Sequence, residues 1–267
     1  MTSTCSISAE LNGVTIDGAD EDATYVLLAD SIGGLGLPEP RLADLERNDE
    51  HGTVAGADHT TSRVLRLPIA VQAPDDPHAA MVAFRALKAA WQPTGPTDDV
   101  LSISLPGYGP SDDVVRFYGR PRTTLEANLG KLHLGVVYAL ATFVALDPIG
   151  YGPTESAGPS SGTFAVVNAG DATSKRATIE VVGNGGTPVL VNNTDGGADV
   201  RFSQALAGAT SWFIDLAART VVDGSGNDVF PDNVLAASLW PRLVPGSNSF
   251  TLTGAGSATF SYRSGWW

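Results

Sequence analysis

The sequence predicts a mainly β protein of two domains, an N-terminal β domain with a single α-helix and then an all-β domain. Three observations predict it. Period-2 alternation recurs in short runs bounded by Gly, Pro, Asn and Asp, which is strand-and-turn patterning. One stretch alone has helical spacing. A Pro/Gly cluster divides a chain of 267 residues, a length at which two domains are expected.

In the first domain, residues 1–150, SISAELNGVTID alternates around Asn12-Gly13, a type I′ hairpin signal. ATYVLLADS follows as a buried run, and residues 33–60 are loop-like. In TSRVLRLPIAVQA, Pro68 suggests an edge or a bulge. The helix is expected at about residues 76–92. Asp76 suits the N-cap and Pro77 the first helical position. Ala80, Phe84, Leu87 and Trp91 fall on one face, and Gln92-Pro93 stops it. VLSISLPG, VVRFYGRPR and the apolar run from Val136 to Leu146 then read as strands, the last buried on both faces.

Residues 148–162 are read as a Pro/Gly-rich linker. Residues 163–267 are all β, with turn signals about every 8–12 residues, as in a β-sandwich. Phe250 and Leu252 alternate on one side of Gly254-Ala255-Gly256, and Phe260 and Tyr262 on the other. A closing β-hairpin is expected there.

Composition excludes several functions. The net charge is −13, with ten basic against twenty acidic residues up to residue 152 and six against nine after it. Specific nucleic-acid binding, which needs Lys and Arg on phosphates, is not expected. No window approaches the ~20 apolar residues of a membrane helix, so no membrane insertion is expected. The start MTSTCSISAELNG lacks the basic and apolar regions of a signal peptide. With Cys5 alone, neither an intrachain disulfide nor a thiolate metal cluster is possible.

No catalytic constellation survives inspection. Gly158-Pro-Ser160-Ser-Gly162 matches G-x-S-x-G, but that motif needs a strand before the serine and a helix after it. His51, His59, His78 and His133 all lie upstream of Ser160, so the Ser…Asp…His order fails. Asp223-Gly-Ser225-Gly-Asn227-Asp228 spaces oxygens like the start of a calcium loop. It lacks the sixth-position glycine and the twelfth-position glutamate, and a turn explains it better. No catalytic residue, metal or cofactor is expected.

One motif remains. Trp240-Pro241-Arg242-Leu243-Val244-Pro245-Gly246-Ser247-Asn248 reads W-x-x-L-x-P-G-x-N. As a sandwich corner it makes physical sense: Trp240 and Leu243 plug the core. Pro245-Gly246 forms a type II turn with Gly at φ > 0, and Asn248 bonds its own backbone. This motif, with Asn168-Ala169-Gly170, RATIEV, TPVLVNNTDG and IDLAARTVVDGSGND before it, resembles the C-terminal domain of the distal tail proteins of long-tailed siphophages. RVLRLPIAVQA before the single helix, and the exit through Ala145-Leu146-Asp147-Pro148, are similar to the same family. The resemblance covers most of the chain.

It implies a galectin-like C-terminal β-sandwich and an N-terminal domain that assembles into a homo-hexameric ring. The ring would sit at the distal end of the tail and join the tail tube protein to the tip or baseplate hub, around the tape measure protein. The location implied is the virion tail tip, assembled in the host cytoplasm. The implied role is structural, not enzymatic. The alternative is a carbohydrate-binding module or receptor-binding adhesin of a cell surface, stacking sugars on Trp212, Trp266 or Trp267.

Two surface expectations follow. Trp266 and Trp267 are read as an interface element, because a terminus lacks chain on one side. In a ring, Asp17, Asp20, Glu21, Asp22, Asp44, Glu46, Asp49 and Glu50 are candidates for an acidic lumen that repels passing DNA.

Overall fold

The structure is a computed structural model that describes residues 7–17, 22–28, 32–46, 51, 53–54, 56, 59–109, 113–122 and 125–267. The chain is mainly β. It divides into two compact units, residues 1–108 with 113–150 and 267, and residues 109–112 with 151–266.

The first unit holds β1 (Ser8–Leu11), β2 (Val14–Asp17), β3 (Tyr25–Leu27), β4 (Pro40–Arg41), β5 (Leu45–Glu46), β6 (Thr53–Val54), β7 (His59–Thr60) and β8 (Arg63–Gln72). Helix α1 (Pro77–Ala90) follows, then β9 (Asp99–Ser104), β10 (Val114–Pro121), β11 (Glu126–Asn128) and β12 (Val136–Ala145). The strand order β12-β8-β3-β2-β1-β9-β10 is closed by a β10–β12 pairing, so these seven strands form a barrel. Closure removes the open edges that a sheet would otherwise present.

Inward residues alternate along the barrel strands. Leu65, Leu67, Ile69 and Val71 of β8 meet Val137, Ala139, Ala141 and Phe143 of β12 in one core. β12 alternates buried and half-exposed positions; it is a barrel wall, not the doubly buried strand expected. β8 is interior too, flanked by β12 and β3. Pro68 is tolerated there because β3 ends at Leu27, and only Pro68's carbonyl is used on that side, accepting from Leu28 N at 3.0 Å.

The tight β1–β2 turn has Asn12 at φ 49 and Gly13 at φ 78, the pair of left-handed residues a type I′ turn requires. Helix α1 is capped as the sequence predicts: Asp76 accepts from Ala79 N at 2.9 Å, and Pro77 follows. Phe84, Leu87 and Trp91 join the barrel core. Trp91 Nε1 donates to Thr142 O at 3.2 Å and Tyr25 Oη to Ala83 O at 3.0 Å, which pins the helix to the barrel. Arg63 is buried, with its guanidinium over the Phe117 ring at 5.3 Å and Nη1 on Leu35 O at 3.2 Å.

The second unit holds β13 (Gly150–Ser160), β14 (Gly162–Asn168), β15 (Ala177–Val182), β16 (Val189–Asn192), β17 (Ala198–Arg201), β18 (Ser211–Asp215) and β19 (Thr220–Asp223). A one-turn helix α2 (Phe230–Asn233), β20 (Gly246–Thr253) and β21 (Ser257–Trp266) complete it. Two layers result, β13-β21-β15-β18-β19 and β14-β20-β16-β17. Phe250 and Phe260 meet between them at 4.7 Å, and Phe202 and Trp212 at 4.7 Å.

Two expectations are corrected here. Residues 150–160, read as linker, form β13, and from Pro153 to Ser160 half-buried positions alternate with exposed ones over most of the stretch. Strand pattern prevailed over Pro/Gly composition. β20 and β21 do not pair as a hairpin either. β20 bonds β14 and β16, while β21 bonds β15, so the chain arches from one layer to the other. Gly254 makes the arch possible: it has φ 66, and a Cβ there would come within 1.8 Å of Thr187 O.

Candidate functional site

The W-x-x-L-x-P-G-x-N segment closes one end of the sandwich. Leu243 is fully buried in the second core, and its backbone bridges to Ser174 in both directions at 2.8 Å. Trp240 is half-buried, at φ 39, with its ring 5.8 Å from that of Phe230. Gly246 has φ 88, the left-handed backbone that the Pro-Gly turn requires. Asn248 ties the turn shut. Its Oδ1 accepts from Val244 N at 2.9 Å, and its Nδ2 donates to Val244 O at 2.8 Å and Gly246 O at 3.1 Å.

Two further asparagines complete the network, and all three are fully buried. Asn192 Nδ2 donates to Arg242 O at 2.7 Å and to Asn248 Oδ1 at 3.2 Å, while its Oδ1 accepts from Thr194 N and Asp195 N. Asn168 Nδ2 donates to Leu243 O and Ala172 O, and its Oδ1 accepts from Gly170 N and Gly265 N. Each side chain thus makes all four bonds an amide offers. A buried polar network so satisfied specifies one loop conformation.

Arg242 is set by Asp195. Nη2 meets Oδ1 at 2.8 Å, and Nε and the backbone N both meet Oδ2. The hydrogen bond to Asp195, helped by its charge, raises the Arg242 pKa above its usual value, so the guanidinium stays charged and oriented.

The other sequence-predicted residues are dispersed. Trp266 ends β21 half-buried, its ring packed where a Cβ on Gly109 would come within 2.3 Å, and its buried Nε1 meets no hydrogen-bond acceptor among the described residues. Trp267 is half-buried as well. Neither is the freely exposed ring that a chain terminus suggests. Asp17 lies half-buried at the end of β2, and Asp22 and Asp44 are exposed. Glu46 lies in β5, while Asp20, Glu21, Asp49 and Glu50 fall outside the described residues.

Residues 33–60, expected as loop, contain an arm. β4 pairs with β7 and β5 with β6, and among the described residues none of these four pairs with any other strand. Asp44 Oδ1 accepts from Gly56 N across it at 3.3 Å. Leu42 and Leu45 on the arm and Leu37 before it are 64 %, 70 % and 80 % exposed. A two-stranded ribbon is marginal in water by itself, and large exposed apolar patches mark contact surfaces.

Solved structures with a similar fold include phage tail proteins. Over 96 % of this chain and 98 % of that chain, the SPP1 Dit protein, a hub of the adsorption apparatus in phages that infect Gram-positive bacteria, superposes with a TM-score of 0.72 at 16 % identity. The chain has the fold of SPP1 Dit. A chain of the phage P2 baseplate in its activated conformation with calcium matches 97 % of this chain and 96 % of its own, with a TM-score of 0.55 at 10 % identity. The same baseplate with strontium gives 0.53 at 10 % over 97 % of both chains. No protein-family profile and no curated protein sequence matches the chain.

Within this Dit fold the enzyme-like motifs have structural occupations. Ser160 ends β13, and β14 begins at Gly162, so a strand stands where a hydrolase elbow needs a helix. Asp223 spends its carboxylate on its own turn: Oδ1 accepts from Ser225 N at 2.8 Å and Asn227 N at 2.9 Å, and Oδ2 from Asn227 Nδ2 at 2.9 Å. These donors hold its pKa below the usual value, with Asn227 the main cause. The stabilisation is complete above about pH 4, where an unfolded aspartate is ionised, and is lost as pH falls through the lowered folded value. Asp223→Asn should therefore lower stability at pH 7, where the carboxylate accepts these bonds, and change it less at pH 3, flattening part of the acid limb of a stability-versus-pH curve. Unfolding curves at pH 3 and pH 7 that shift equally in the variant would refute this. Among the described residues no three His, Cys, Asp or Glu side chains gather to hold a metal.

Sequence reasoning found the corner motif and Asn248 but missed Asn192, the pairing of Asp195 with Arg242, and buried Arg63. Their partners are distant in sequence. Only the Asn192-Asn193-Thr194-Asp195-Gly196 cluster hinted at a turn.

Proposed function

We propose that this chain is a structural hub protein of a phage tail. It forms a hexameric ring at the distal end and joins the tail tube to the tip or baseplate hub, around the tape measure protein. The observation that carries this reading is the likeness in fold to SPP1 Dit along essentially the whole of both chains. A chance resemblance of one β-sandwich, a common architecture, would cover half the chain. The barrel unit is read as the ring-forming part, and the second unit as its galectin-like outer sandwich.

The arm supports assembly. In a closed ring each copy offers one surface to the next in a heterologous contact, and the exposed leucines suit a neighbouring copy. Exposed Asp22 and Asp44 are read as part of an acidic lumen wall, with the other acids of their loops. Trp266 and Trp267 are read as bordering a contact with another tail component. The role is architectural, and the protein resides in the virion tail.

Native mass spectrometry of the purified chain should give six copies, and negative-stain images a ring with a central opening. A particle of one or two copies across micromolar concentrations would sink the ring and favour a lone binding module.

A further inference from the structure

Four loops of the second unit converge on a pocket of ≈ 240 Å³ beside the corner: Lys175 before β15, Asp195 in the β16–β17 turn, Arg219 in the β18–β19 turn, and Trp240, Pro241 and Arg242 of the corner itself. Three properties set it apart. The first is charge. Of the six basic residues after residue 152, three line this pocket, together with one of the nine acids. Asp195 is already committed to orienting Arg242. Lys175 and Arg219 make no ion pair or side-chain hydrogen bond with any described residue and are exposed at its rim. A chain of net charge −13 thus gathers an excess of cations in one concavity. Low-dielectric walls focus such a field toward a small anion, while the acidic remainder repels a polyanion.

The second is backbone. Arg219 has φ 56 and Trp240 φ 39. For a bulky residue such as Trp this is an outlier, and residues held in that region concentrate at ligand clamps and active sites. Trp240 is held there by its neighbours: its backbone N, like that of Leu239, donates to Asp199 O, and its ring lies on Phe230. The third is the wall. Trp240 and Pro241 line the pocket next to the cations, within a wall that is mostly polar. Concave sites that mix an aromatic face with a few convergent polar groups bind small ligands.

We propose that this pocket is a binding site for a sugar unit that carries an oxyanion, a phosphate or a carboxylate. The ring C–H face lies on Trp240 and Pro241, and the anion is held by Lys175, Arg219 and the outward donors of Arg242. The guanidinium fork suits a planar or tetrahedral oxyanion, and the pocket has room for about one monosaccharide. The site is independent of the ring: it would exist in a monomer as in a hexamer.

Titration calorimetry on the intact chain tests it with glucose 1-phosphate, glucuronate, glucose and inorganic phosphate. At least one acidic sugar should saturate with a Kd below about 1 mM, and the better of the two names the anion. Glucose and inorganic phosphate should each bind at least about tenfold more weakly, one lacking the anion and the other the apolar face. Lys175→Gln and Arg219→Gln should each weaken the acidic sugar by about fivefold or more, as expected for loss of a charge-assisted contact. Their Tm values should stay within about 1 °C, because neither side chain is bonded within the protein. The proposal is overturned if neither acidic sugar saturates at millimolar concentration. It is overturned equally if glucose or phosphate alone binds as well, or if Lys175→Gln and Arg219→Gln both keep full affinity.

Discussion

Asn248→Ala lowers the stability of the second unit by about 3–5 kcal/mol. The truncation strands four partners at once: Val244 N, Val244 O, Gly246 O and Asn192 Nδ2. Each buried group left unmade costs about 1–3 kcal/mol, and the sum falls short of four full penalties because water and relaxation recover part of it. Asn248→Asp should be no better. Its carboxylate accepts from Val244 N but cannot donate to two carbonyls, and it brings a charge into a fully buried site. The control is Asn193→Ala, next to Asn192 in sequence but exposed, its side chain bonded among the described residues only to the hydroxyls of Thr251 and Ser249. Its cost should stay within about 0.5 kcal/mol. Denaturant unfolding followed by tryptophan fluorescence reads the difference, since Trp212 lies in that core. Equal losses for Asn248→Ala and Asn193→Ala would show that the corner network does not hold the sandwich end.

The corner was legible because its motif is local: Pro-Gly and an asparagine two residues later set one turn, and the turn formed. The Asp76 cap with Pro77 and the Asn12-Gly13 hairpin were legible for the same reason, since each is decided within a few residues. What was not legible depends on partners far away in the chain. Alternation located β20 and β21, but nothing in period-2 patterning says that they belong to opposite layers. The prolines and glycines of residues 148–162 looked like a linker because composition is averaged over a window, whereas Pro153 and Pro159 occupy individual positions in β13. Asn168, Asn192 and Asn248 each look like ordinary turn residues. Their common burial exists only once three strands and the corner loop have met. The pocket cations are the extreme case. Lys175, Arg219 and Arg242 are spread over 67 residues of sequence and become one feature only in the fold.

In the proposed hexamer, replacing Leu37, Leu42 and Leu45 together with serine should leave only monomers. Within one copy these leucines do little. All three are largely exposed and none belongs to the barrel core, so serine costs the isolated unit almost nothing and its Tm should move by no more than about 2 °C. At an interface between copies the same side chains would each contribute about 1.5–3 kcal/mol on burial. In a closed ring the loss recurs at six identical contacts, because every copy presents the same surface to the next. A ring that tolerates one weakened contact cannot tolerate six. Light scattering should therefore show a sixfold drop in mass, with circular dichroism unchanged. A second variant helps to separate causes: Thr61→Val removes the side-chain bonds from Oγ1 to Glu39 O and Ser62 O and should leave the mass at six. If the triple serine variant remains hexameric, the arm is not the contact. If the mass falls but the circular dichroism falls with it, the leucines hold the unit itself together, and their exposure in one copy has been misjudged.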